Sequence, residues 1–195
     1  MARQEIPSSG QWSAIAGLHN TNYTELYNAA ARRDQVIRVT DTTQQTPGTG
    51  VHTVAFGSAA VNTSSDPISM AANNEFDVHQ SGHYHFRFSP YFGRTASSGV
   101  AELYFRFVVD PTGVGDAYAQ VGQSVEVKLD SANAALAYQA ELVADLTLGW
   151  KFRVELQVAG QSDAGLLTNT AVPNGWNDVA SADLIISRYL LVTPA

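Results

Sequence analysis

SGHYHFRFSPYFGRTASSGVAELYFRFVV, residues 81–109, is the stretch that decides the fold. Tyr84, Phe86 and Phe88 alternate with His83, His85 and Arg87, and this period of two places three rings on one face of a strand. Pro90, Gly93, Ser97, Ser98 and Gly99 mark a turn-rich break. Beyond it Leu103, Phe105, Phe107 and Val109 alternate with Glu102, Tyr104, Arg106 and Val108. The stretch predicts a pair of strands with aromatic inner faces and mixed outer ones. Burying each ring contributes about 1.5–3 kcal/mol, enough to anchor a sheet core. Nothing in these residues specifies a reaction.

Working outward, the same period continues. Residues 35–40 (QVIRVT), 52–56, 68–70, 75–79 and 124–129 (SVEVKL) read as strands, separated by polar connections at 41–50, 59–67 and 110–122. Residues 131–140 are alanine-rich and fit a helical turn, a loop or a short strand. Residues 140–148 and 150–158 predict a hairpin about Gly149, with Leu142, Ala144, Leu146 and Leu148 inward on one arm. Trp150, Phe152, Val154, Leu156 and Val158 face inward on the other. Residues 160–179 read as a long polar loop, and 183–192 (DLIISRYLLV) as a central strand covered on both faces. The expected fold class is all-β, an antiparallel jelly-roll β-sandwich with a short N-terminal helical arm. The arm occupies residues 1–34 and the head domain residues 35–195.

The arm differs in pattern from the rest. Trp12, Ile15, Ala16 and His19 recur at helical spacing, as do Tyr23, Leu26, Tyr27 and Ala30 after Asn20-Thr21-Asn22. Helices this short are marginal alone and need a surface to cover their apolar stripe. That surface is either the chain's own sandwich or a partner to which the arm attaches.

Composition removes several classes of function. A net charge of −7, with eleven scattered Lys and Arg, disfavours nucleic acid and anionic membranes as partners. The absence of cysteine removes disulfides and thiolate metal sites. No apolar run reaches the length of a membrane span, and the first dozen residues lack the apolar core of a signal peptide. Synthesis in a cytoplasm is therefore expected, and the sequons at Asn22 and Asn62 are read as chance.

Two resemblances add to this reading. From about Gln35 onward the order of elements resembles the globular heads of the complement and tumour-necrosis-factor superfamily, which are trimeric jelly rolls. Phe76 ahead of Gly82-His83-Tyr84-His85-Phe86 is similar to that family's Gly-x-Tyr-x-Phe signature, and residues 103–109, 148–150 and 182–190 follow in the same order. Gly149-Trp150 departs from the family's usual Gly-Asp, so the likeness is one of architecture. Residues 7–28 resemble the N-terminal segments of bacteriophage structural and fibre proteins through Trp12, Ser13, Ile15, Ala16, Asn20, Asn22, Tyr23 and Leu26.

Together the resemblances imply a structural, non-enzymatic phage virion protein. In this reading a homotrimeric decoration or cement (head-fibre) protein sits on the capsid surface, with the major capsid protein as partner and host surface glycans as a further weak one. The alternative is a tail-fibre or receptor-binding protein whose loops 41–50, 110–122 and 160–179 touch the host cell. Trp12, Ile15, Tyr23 and Leu26 are the expected capsid-attachment residues, and Tyr84, Tyr104 and Tyr189 the expected trimer interface.

No cofactor, metal or catalytic residue is expected. His79, His83 and His85 could ligate a metal, but no acid has matching spacing, so a solvated face or a subunit contact is the simpler reading. Asp110 to Asp116 carries carboxylates and glycines that could wrap calcium, without the acid density of an EF-hand loop. No nucleophile elbow, zinc-protease motif or phosphate loop is present in the sequence.

Overall fold

A computed structural model describes residues 33–57, 66–95, 99–131, 133–169 and 179–189. The predicted arm helices, with Trp12, Ile15, Tyr23 and Leu26, lie outside the described residues. Among the described residues the chain forms strands and no helix. In order these are β1 (Arg33–Asp41), β2 (Gly50–Thr53), β3 (Ile68–Met70), β4 (Phe76–Val78), β5 (Gly82–Arg94) and β6 (Ala101–Asp110). They continue with β7 (Ala119–Leu129), β8 (Ala135–Ala137), β9 (Ala140–Leu146), β10 (Lys151–Ala159), β11 (Ala164–Leu166) and β12 (Ala182–Tyr189).

Two antiparallel sheets pack face to face. The first runs β1-β12-β5-β9 across the first half of β5, while the second half of β5 pairs with β11 and β8. The second runs β3-β4-β10-β6-β7, with β2 pairing the far half of β10. β12 is central, lying between β1 and β5.

The aromatic alternation fixes the core. Tyr84, Phe86, Phe88 and Phe92 turn inward from β5 and meet Phe105 and Phe107 of β6. Ring centroids lie 5.3 Å apart for Phe88 and Phe105, and 5.7 Å for Phe86 and Phe107. Phe152 of β10 stacks on Phe76 at 4.5 Å. Edge-on and offset contacts of this kind add to the area each ring removes from water.

The structure corrects several predicted pairings. β5 and β6 do not hydrogen-bond to one another; they face each other from opposite sheets, and alternation alone cannot distinguish the two arrangements. β5 also runs through Pro90, whose carbonyl still accepts from Tyr138 N at 3.0 Å. The predicted hairpin about Gly149 is a crossover, because β9 pairs β5 in the first sheet and β10 joins the second. Leu148 at its tip is therefore 62% exposed rather than inward. Within the predicted loop 160–179, residues 164–166 form β11 and Leu166 is fully buried.

The two ends of the sandwich differ. Arg33 pairs Tyr189 at one end, shared with the turns about Thr112 and Leu148; a Cβ on Gly113 would meet Gly149 O at 2.2 Å, so those turns touch. At the other end the 41–50 loop bridges to Leu166 through Gln45 N→Leu166 O at 2.7 Å and Leu166 N→Gln45 O at 2.8 Å. There the buried Arg94 donates to the carbonyls of Gly99 and Leu129 and pairs with Asp163, tying β5, β7 and the start of β11 together.

Candidate functional site

The outer face of the first sheet carries His83 and His85 two residues apart on β5. Asp145 of β9 lies directly across from His83, and its carboxylate contacts His83 Nδ1. His85 Nε2 lies 3.2 Å from Glu141 Oε2, while Gln139 Nε2 donates to the other Glu141 oxygen at 3.1 Å. Val143, opposite His85 and between the two acids on β9, is 57% exposed. Tyr189 of β12 packs beside His85 with ring centroids 6.2 Å apart. Further along, Arg38 of β1 pairs with Asp183 of β12 at 3.0 Å.

Beside this face the sandwich has an open edge. Among the described residues β9 pairs only with β5 and β7 only with β6, so the sandwich is open between β7 and β9. The opening is a groove of about 410 Å³ lined by Phe105, Phe107, Val121, Val125, Tyr138 and Leu142, with Glu141 and two glutamines at its rim.

The outer face of the second sheet is built differently. Glu155 of β10, almost wholly buried, receives Arg106 and Arg153 at 2.7 Å each. Arg153 and Lys151 extend this network to Glu75, and Lys151 reaches Asp77 at 3.3 Å. Burial opposes the Glu75 charge, but Tyr118, Asn73 and Lys151 outweigh it and hold its pKa below the ordinary value. Burial, and then the Glu75 carboxylate, push the Tyr118 phenol up; its hydroxyl sits beside Glu75 outside good hydrogen-bond geometry. The Arg153 guanidinium lies 3.8 Å from the Tyr118 ring centre. Towards β7, Tyr104 donates to Glu126 at 3.0 Å and Lys128 binds Glu126 and Glu102.

The structure thus separates the three tyrosines predicted to share a trimer interface. Tyr84 is fully buried, its hydroxyl donating to Gln80 O at 2.6 Å, and it has no surface to offer a neighbour. Its place in the Tyr84-Phe86-Phe88 alternation already carried that signal. Tyr104 lies on the second sheet within the charged network, whereas Tyr189 lies on the first beside His85. Of the groove residues, Leu142 was legible only as an alternating apolar position, and Val121 lies in the predicted connection 110–122, which the structure instead places in β7 from Ala119 onward.

The candidate cation sites have other occupations. His79 Nε2 pairs with Ser69 Oγ at 2.7 Å, away from His83 and His85. In the loop after β6, Asp110 accepts from Thr112 N at 2.8 Å, Thr112 Oγ1 at 2.7 Å, Gly115 N at 2.5 Å and Asp116 N at 3.3 Å. Burial acts against its charge, yet these donors prevail and lower its pKa to about 2. Both oxygens are committed to the loop's own shape, and Gly113 and Gly115, with φ of 72° and 94°, permit the curl. Among the described residues no group of three His, Asp or Glu side chains converges.

The fold is a jelly-roll-like antiparallel β-sandwich. Among the solved structures similar to it are those of murine APRIL at pH 5.0 and at pH 8.0, each with a TM-score of 0.50. They are 10% and 11% identical to this chain, and each match covers 79% of it and 98% of the other. At that identity the likeness is one of fold. No family model matches the chain, and no curated protein matches it in sequence.

Proposed function

We propose that the chain is a structural, non-enzymatic, homotrimeric head that decorates and cements a bacteriophage capsid, fastened by residues 1–34. The observation that carries the trimer is the groove between the unpaired edges β7 and β9, lined by Phe105, Tyr138, Val125 and Leu142 together with Gln123, Gln139 and Glu141. A heterologous contact, groove of one copy against the first-sheet face of the next, closes into a ring when repeated by rotation. Stable interfaces bury roughly 1,200–2,000 Å², which one edge and one sheet face can supply. The phage setting rests on the resemblance of residues 7–28, with Trp12, Ile15, Tyr23 and Leu26 as gripping residues. Repeating three arms per trimer over a shell adds avidity, since each bound arm raises the local concentration of the others.

Sedimentation equilibrium of the full chain tests the first step. A trimer is expected at micromolar concentration, and a compact single copy overturns the proposal. A chain starting at residue 35 is expected to remain trimeric and lose binding to purified capsids; retained binding removes the arm's role.

The receptor-binding alternative has one observation in its favour. The 41–50 loop and residues 164–166 are bridged at the end opposite the start of β1, where a host-facing tip would lie, while the 110–119 loop belongs to the arm's end. Copy number decides between them: hundreds per particle for decoration, about a dozen or fewer for a tail component.

A further inference from the structure

We infer that the outer face of the second sheet holds a binding site for a neutral saccharide, in the hollow where Tyr104, Arg106 and Gln157 meet. The site lies away from the groove used by the homotrimer reading and does not rest on that reading.

Strand register builds the hollow. Gln157 of β10 has Val51 of β2 on one side and Tyr104 of β6 on the other. Glu155, two residues earlier on the same face, lies opposite Arg106. β7 is bulged at this level: Val125 pairs Phe105 and Val121 pairs Phe107, so Gly122, Gln123 and Ser124 stand against Arg106 alone. Gly122 makes the bend at φ 72°, and the Gln120 amide braces it, donating to Gly122 O at 3.0 Å and accepting from Ser124 Oγ at 3.2 Å. Bulges bend a strand and re-aim its side chains, and this one makes Ser124, with Val51, part of the wall. The hollow has a volume of about 100 Å³ and is lined by these two residues with Tyr104, Arg106, Glu155 and Gln157.

The groups already engaged limit what it can hold. Glu155 is taken by Arg106 and Arg153, and Lys128 by Glu102 and Glu126. An entering ion must displace one partner of these pairs, which is most unfavourable at the buried Glu155. The unspent hydrogen bonds belong to other groups. Gln157 is exposed, and among the described residues its amide has no partner. Arg106 meets Glu155 through Nε and Nη2, and among the described residues Nη1 has no partner. Tyr104 and Ser124 donate their protons to Glu126 and Gln120, so both oxygens remain able to accept. The Tyr104 ring and Val51, 51% exposed, supply apolar wall. Sugar hydroxyls both donate and accept, and the C–H face of the ring suits the apolar wall, so one ring satisfies both kinds of surface. A purely apolar ligand would leave the amide and guanidinium unpaired. The hollow is too shallow to enclose a ligand, so it takes one ring of a saccharide and leaves the rest in solvent.

The test is saturation-transfer NMR on the full chain with glucose, galactose, mannose and N-acetylglucosamine. Each is titrated to about 50 mM, beyond the roughly millimolar half-saturation expected of one shallow site for at least one of the four. N-acetylneuraminic acid, which carries a carboxylate, is expected to bind no more tightly. Gln157→Leu and Tyr104→Ala are each expected to weaken binding about tenfold. Gln157 is exposed, so its variant keeps the test open if the Tyr104 variant fails to fold. Val143→Asp, on the other sheet, should leave sugar binding unchanged whatever it does to assembly. No response from any of the four sugars, tighter binding of N-acetylneuraminic acid, or a Gln157→Leu chain that binds as well as the wild type overturns the inference. None of these outcomes bears on the trimer, which sedimentation decides.

Discussion

On the outer face of β10, Glu155 is clasped by two arginines and almost wholly buried; on the outer face of β5, two histidines meet carboxylates of β9 that stay largely exposed. The first arrangement is complete within one copy: Glu75, Asp77, Lys151, Arg153, Arg106 and Glu155 form one connected network under water. The second borders the open groove between β7 and β9. Both sheets use the same alternation, so period says which residues face out but not whether an outward face is finished. Charges pair within one copy on both faces, and what differs is the open edge between β7 and β9 beside the first.

The largest expected effect abolishes both faces together. Phe88→Ala removes a ring packed on Phe105 and Phe107, and a loss of about 3–5 kcal/mol is expected in urea denaturation. Next, Leu142→Asp puts a charge in the groove and is expected to raise the dilution midpoint of the trimer about thirtyfold or more, a hot-spot effect, with the far-ultraviolet spectrum of the strands retained. A variant that unfolds instead would show the groove to be core, and Val143→Asp, on the exposed face, then gives the assembly reading. Glu155→Gln strands part of two arginine contacts; their partial exposure limits the cost to about 1–3 kcal/mol, and assembly should not change.

A smaller effect separates by pH. The folded pKa of Asp110, about 2, lies below the unfolded aspartate value, so its contribution is complete above about pH 4 and lost as pH falls towards 2. Asp110→Asn should flatten the melting-temperature profile across that interval and leave it parallel to the wild type above pH 5. The smallest effect sharpens the contrast between the faces. Tyr104→Phe should leave the dilution midpoint where it is, whereas Tyr189→Ala on the other sheet should raise it; a shift for Tyr104 alone would reverse the assignment of the faces.

Much of the sandwich was legible in the residues and some of it could not be. Tyr84, Phe86, Phe88, Phe105 and Phe107 announced their inward faces by alternation, and the core contains all five. The pairing of those strands was not written there, because a ring pointing inward looks the same whether its partner is a ladder neighbour or lies across the core. That ambiguity produced the false hairpin about Gly149. Residues 160–166 escaped notice because a three-residue strand with one glycine offers too short a window for any period to show. The candidate face was half visible: His83 and His85 stood out, but Asp145 and Glu141 reach them only through the β5–β9 register, across more than fifty residues of chain.

The neighbouring placement of β1 and β12 has a consequence for biosynthesis. Arg33 pairs with Tyr189 and Asp41 with Ala182, so the edge of the first sheet waits for the last described strand. A nascent chain can assemble β4, β6, β7 and β10 beforehand, yet β12 must leave the ribosome before β5 gains its inner neighbour and β1 gains its ladder partner among the described residues. Closure of so long a loop places this topology among slow folders, on the scale of milliseconds to seconds. Until it happens, one flank of β5 stays unpaired, and this interval is when a chaperone would have most to shield.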